Sequence, residues 1–176
     1  MAIGSNAVRM GAMALAALVM LDAPKAGAQN QAPQPRSEVV GTHGDWEKRC
    51  IDLQAQGQRC ALVQMGDNPT AQVRAVATLT RGGENGAETV ARFEVPIGVH
   101  LPSGLRVHID GQDFGGVPYQ FCHPDRCAAI AILSGEQEAA LKGGSTATIT
   151  FFADPEVPIE VPISLMGVTA GLRSLE

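Results

Sequence analysis

Four cysteines and four histidines are the residues of this chain best suited to chemistry. The cysteines fall into two close pairs, Cys50 with Cys60 and Cys122 with Cys127, and His123 follows Cys122 directly. Cysteine and histidine together can hold zinc, but zinc sites usually space paired cysteines two to four residues apart and use two such pairs. The spacing here is wider, and His43, His100 and His108 stand apart from the cysteines. No metal is expected. A cysteine nucleophile needs a free thiolate beside a base, and an even, paired set leaves no spare thiol. Ser103 lies in Pro102-Ser103-Gly104 and Ser134 in Leu133-Ser134-Gly135. Neither has the G-x-S-x-G surround of a nucleophile elbow, so each reads as a turn or a cap. Asp110-Gly111-Gln112-Asp113 gathers two carboxylates on a turn. It lacks the ligand series and closing Glu of a calcium-binding EF-hand, so a solvated turn is the reading. Lys142-Gly143-Gly144-Ser145-Thr146 lacks the G-K-[ST] order of a phosphate-binding loop. No catalytic residue and no cofactor is assigned, and the chain is expected not to be an enzyme.

What the cysteines do depends on where the chain goes. Its start has the three parts of a secretory signal. Arg9 gives positive charge, Gly11 to Leu21 (GAMALAALVML) is apolar, and Ala26-Gly27-Ala28 fits a small-x-small cleavage site after the break at Pro24. Residues 1–28 are therefore read as a signal peptide, cleaved between Ala28 and Gln29. The apolar run is shorter than the roughly 20 residues a membrane span needs. No later stretch is apolar enough, so no transmembrane segment and a soluble product are expected. The first cysteine after the signal is Cys50, which argues against lipid anchoring. In an exported chain an even cysteine count reads as disulfides, here with three possible connectivities. The two local pairs are favoured because each would staple neighbouring strands, at about 2–3 kcal/mol per bridge.

Cleavage removes two of 13 basic and one of 18 acidic residues, leaving 148 residues with net charge −6. That argues against nucleic acid, which needs clustered cations, and against adsorption to anionic lipid. One domain is expected at this length. Residues 29–40, beginning QNQAPQP, are polar and Pro-rich and read as a flexible leader. The domain is placed at residues 41–176.

The body alternates like strands. Asp45–Ile51, Gln58–Met65, Ala71–Arg81 and Glu88–Val95 are candidates, the last with Thr89, Ala91, Phe93 and Val95 inward. Leu105–Ile109, Val117–Cys122, Cys127–Leu133 and Ser145–Phe152 follow. Val157–Leu165 carries Pro158 and Pro162 and should be an edge strand. One short helix should begin at Ser134, with Gln137 completing a capping box, and end at Gly143-Gly144. Gly167–Leu175 could add a last helical turn. Trp46, the single Trp, is expected in the core. Many short strands and one helix point to an antiparallel β-sandwich, with a compact barrel as the alternative.

Several motifs in order then carry a resemblance. Gly44-Asp45-Trp46, Cys50 and Cys60-Ala61-Leu62-Val63-Gln64 resemble the opening of the invasion-associated locus B family of bacterial envelope proteins. So do Val95-Pro96-Ile97-Gly98-Val99 through Ile109-Asp110-Gly111, the Tyr119-x-x-Cys122-x4-Cys127 element, and Val161-Pro162-Ile163-Ser164-Leu165-x-Gly167. The resemblance implies an immunoglobulin-like sandwich in the periplasm or cell envelope, at the cell surface or secreted. It implies an association with host-cell invasion and brings no catalytic residues. The expected role is binding an envelope or host protein. The alternative is a periplasmic small-ligand or cation-binding protein, with Pro96–Gly104 walling a pocket.

Overall fold

A computed structural model describes residues 36–83 and 86–176. The expected signal, with Ala26, Ala28 and Gln29, lies outside them. Among the described residues, eleven antiparallel strands form two sheets that enclose one apolar core. The larger holds β1 (Glu38–His43), β2 (Trp46–Asp52), β3 (Gln58–Asn68), β4 (Val73–Gly82), β5 (Glu88–Pro96), β9 (Arg126–Ile132) and β8 (Tyr119–Cys122), side by side in that order. The smaller is ordered β11 (Val157–Ser164), β10 (Thr146–Asp154), β6 (Leu105–Ile109) and β7 (Gln112–Val117). The expected antiparallel sandwich is the architecture found, with unequal sheets.

The inner face follows from alternation. Ala75, Ala77 and Leu79 of β4, and Thr89, Ala91, Phe93 and Val95 of β5, are all buried. Leu105, Val107 and Ile109 of β6 face them with Ile149 and Phe151 of β10. Trp46 of β2 is 1% exposed, and its indole Nε1–H donates to the Ser164 carbonyl at the end of β11, 3.0 Å away. That bond joins the two sheets.

Three features depart from expectation. The first strand starts at Glu38, inside the stretch read as leader, because Glu38 to His43 pair with β2. Val117 to Cys122 is not one strand: β7 and β8 belong to different sheets and part at Pro118. A second helix, α2 (Val168–Ser174), stands where only a helical turn was expected. Its Leu172 is fully buried, and its Gly171 sits so close to Leu62 that a methyl there would strike the Leu62 side chain.

The first helix, α1 (Gly135–Gly143), has the expected capping box. The Ser134 hydroxyl accepts from Gln137 N, and Gln137 Oε1 accepts from Ser134 N. Its Glu138 anchors it to the large sheet. Glu138 accepts from the fully buried Thr89 hydroxyl at 2.7 Å and pairs with Arg81 at 3.3 Å and with Lys142. Arg81 also reaches Glu176 at 2.9 Å. Burial pushes the Glu138 carboxyl up, but hydrogen bonds from Lys142 and Thr89, with the charges of Lys142 and Arg81, outweigh it. The net shift is downward, so this carboxylate stabilises the fold above its unfolded value and loses that contribution as pH falls through its lower folded value. Glu138→Gln should therefore cost about 2 kcal/mol at pH 7. The difference from wild type should shrink as pH falls through the lowered folded value of Glu138. Urea denaturation across that pH range checks this.

Candidate functional site

The residues singled out for chemistry do not converge. Cys50 pairs with Cys60 between β2 and β3, and Cys122 with Cys127 between β8 and β9, at disulfide distance with Cα separations of 4.0 and 3.9 Å. These are the local pairs favoured from sequence. Among the described residues no three Cys, His, Asp or Glu side chains gather as a metal site would require. Asp110 is occupied by the backbone: its carboxylate accepts from Ser145 N and Thr146 N, both at 2.9 Å. Asp113 accepts from Gly115 N. Asp113 thus serves its local turn, whereas Asp110, expected in a solvated turn, ties that turn to the start of β10. Asp110 (φ 49°) and Gly111 (φ 83°) form the tight β6–β7 turn, which needs two left-handed residues.

One pairing was not anticipated. His100 Nδ1 lies 2.8 Å from Ser103 Oγ inside the Pro96–Gly104 loop. A Ser–His pair acts as nucleophile and base only with an orienting third group and free donors for the developing oxyanion. Here the Ser103 and Gly104 amides donate to His100 O and Leu101 O, closing a short 3₁₀ turn. His100 N donates to Phe152 O at 2.6 Å, which holds the loop against β10. The contact fits loop closure. The loop packs Val99 on the core and leaves Ile97 and Leu101 exposed. The wholly apolar cavity inside the sandwich measures about 10 Å³. A single water needs at least about that much room and polar partners as well. It is no place for a metabolite.

The largest organised surface is the outer face of the seven-stranded sheet. Strand register aligns side chains into rows across it. One row runs Thr42, Glu47, Val63, Thr78, Arg92, Ile130 from β1 to β9. The next runs Met65, Val76, Glu94, Ala128, Phe121 from β3 to β8. A third carries Thr80, Val90 and Ile132. Met65 and Ile132 are each 59% exposed, and Phe121 is exposed as well. Apolar residues on a sheet's outer face stay in water unless something covers them.

Charge is interleaved with these apolar residues. Arg49 pairs with Glu47 at 2.7 Å, Arg92 with Glu94 at 2.6 Å, and Arg126 with Glu94 at 3.9 Å. The Arg92 guanidinium stands over the Phe121 ring, 5.3 Å from its centre, and the His123 ring meets Phe121 edge-on at 5.2 Å. A hydrogen bond from Arg126 holds the Asp125 carboxyl below its ordinary range. These pairs set the arginines in fixed orientations around Val63, Met65 and Val76. Together they line one broad concavity. On the opposite, inner face of the sheet the half-buried Tyr119 packs against the core, and burial of its hydroxyl pushes it up to about 12. Reasoning from sequence missed the outer face because it sought clustered chemistry. The signal was in the outward half of each alternating strand, where Val63, Met65, Ile130 and Ile132 stand in place of polar residues.

Comparison with known proteins agrees with this architecture. The family profile described as "Invasion associated locus B (IalB) protein" matches residues 46–176. Two invasion protein B homologs of Brucella abortus, from strain 2308 and from biovar 1 strain 9-941, are each 28% identical over 146 residues. Each alignment covers 82% of this chain and 83% of the relative. The crystal structure of invasion associated protein B from Bartonella henselae superimposes with a TM-score of 0.64 at 19% identity. That match covers 80% of this chain and 95% of the other, and it shows a shared fold.

Proposed function

Because the chain belongs to the invasion associated locus B family, we propose that it is an exported, non-enzymatic protein that binds another protein through the outer face of its seven-stranded sheet. The observation that carries this reading is the outer sheet face on which exposed Met65, Phe121 and Ile132 and half-buried Val63, Val76 and Ile130 alternate with paired arginines. Apolar side chains left exposed beside oriented arginines are features of protein interfaces, where aromatic residues, Met and Arg are enriched. The close cysteine pairs suit an oxidising compartment, and residues 1–28 supply the export signal. The partner is an envelope or host protein, in keeping with relatives named for invasion. Small-ligand binding has less support, because the apolar interior is nearly filled.

The test is affinity capture from envelope and host-cell extracts. Wild type is compared with Val76→Asp and Met65→Asp, and with Thr148→Asp on the outer face of the small sheet as control. A specific partner should bind wild type and the control alike. It should bind the two face variants at least about tenfold more weakly, as for an interface core residue. Equal retention by all four proteins, with circular dichroism unchanged, would refute the reading.

A further inference from the structure

The two disulfides sit in unlike places. Cys50–Cys60 joins interior strands: β1 lies beyond β2, and β4 lies beyond β3. Cys50 is buried and Cys60 partly so. Cys122–Cys127 joins β9 to β8, the last strand of the sheet. Cys127 is 3% exposed, whereas Cys122 is exposed to solvent. An external thiolate must reach a sulfur to exchange with it. Cys122 is the accessible one.

Apart from its disulfide, β8 is held by Tyr119 packed on the core and by Arg92 over Phe121, with little backbone pairing. It has four residues, follows Pro118, and makes three register pairs with β9, interrupted by a bulge between Tyr119 and Phe121. Gln120, Phe121 and Cys122 are all exposed. The Gln120 amide donates to Ile130 O at 3.2 Å, a side chain standing where a strand would otherwise pair. β9 runs on to Ile132, and Ile130–Ile132 have no strand partner on the β8 side.

We infer that Cys122–Cys127 is a reducible latch, and that opening it by a dithiol frees β8 and leaves β9 as the edge of the sheet. A thiolate of the dithiol attacks Cys122 Sγ and forms a mixed disulfide. The Cys122–Cys127 bond breaks, and Cys127 leaves as a thiolate that takes up a proton. The second thiol of the reductant, deprotonated, attacks its own half of the mixed disulfide and releases Cys122, which is protonated in turn. The protein gains two electrons and two protons, and the reductant is left oxidised to its disulfide. β9 then presents unpaired backbone groups from Cys127 to Ile132, a template for strand addition. This switch is independent of which partner the outer face binds.

The experiment is graded reduction of the purified protein with dithiothreitol, quenching with iodoacetamide, and peptide mass spectrometry, alongside amide hydrogen exchange. Cys122 and Cys127 should be alkylated at least about tenfold faster than Cys50 and Cys60. Exchange should rise at residues 119–122 and 127–129 while β2 to β4 stay protected. The double variant Cys122→Ser, Cys127→Ser should show the same exchange pattern without reductant. The inference fails if both bonds open at equal rates, if Cys50–Cys60 opens first, or if neither opens before unfolding. It also fails if β8 stays protected once its bond is gone, in the reduced protein or the double variant.

Discussion

Trp46→Ala should cost the domain about 3–5 kcal/mol, the range for deleting a large aromatic from a closed core. Trp46 is among the largest fully buried side chains. It lines a small apolar void together with Ala77, Ala91 and Ala147 and with larger side chains such as Leu79 and Phe93. A packed core relaxes only partly around a deleted side chain, so much of the cavity should persist. The variant also strips Ser164 O of its Nε1–H donor. Trp46→Phe restores most of the volume but not the donor, so it should lose less, about 1–2 kcal/mol. Urea denaturation followed by circular dichroism measures both, since the only indole is gone from each. A loss under 1 kcal/mol for the alanine variant would mean that Trp46 is not the tie between the sheets.

Gly167→Ala should be of similar severity, about 3 kcal/mol or more. Gly167 holds φ near 90° at the start of α2, a conformation other residues rarely adopt. A methyl group there would collide with the backbone carbonyl of His43. Gly44, across the contact, has φ 57° and would collide with Met166 in the same way. The two glycines let the β1–β2 turn and the β11–α2 turn touch backbone to backbone, secured by Asp45 N donating to Met166 O at 3.1 Å. Gly98→Ala is the matched control. Its φ of 87° is as strained, but open space surrounds the added methyl. It should cost only about 1 kcal/mol. Equal losses for the two variants would assign the whole effect to backbone conformation and none to the close approach.

Much of this fold was legible in the sequence, because burial on one face writes itself as alternation. β4, β5 and β6 are read almost residue for residue, with Thr89 placed inward even though it is polar. Its hydroxyl is inward because Glu138 and Arg81 meet it there, a long-range arrangement no local pattern encodes. The helix cap was legible because a capping box lies within four residues. β1 and β7 were missed for opposite reasons. Glu38–His43 is an edge strand with most of its side chains in water, so it reads as leader. Gln112–Val117 carries two adjacent glycines, which weaken any strand signal. The interaction face was not legible as a site, because its rows exist only once six strands lie in register. Val63, Thr78, Arg92 and Ile130 are neighbours through pairing and not through spacing.

The meeting of the first hairpin with the last turn also sets the order of events in time. A chain delivered from its N-terminus can zip β1 to β5 as a meander of adjacent hairpins while the rest is still arriving. Trp46 then waits for Ser164, 118 residues later, and Leu62 waits for Gly171. Until β11 and α2 emerge, the part of the large sheet's inner face that carries Trp46 and Leu62 lacks its cover. Closing so long a loop is slow compared with pairing neighbours, and an uncovered sheet is prone to associate with other chains in the interval. The final twenty residues therefore act as the lid of the folding reaction, and a chain stopped before Val157 would keep its sandwich unshut.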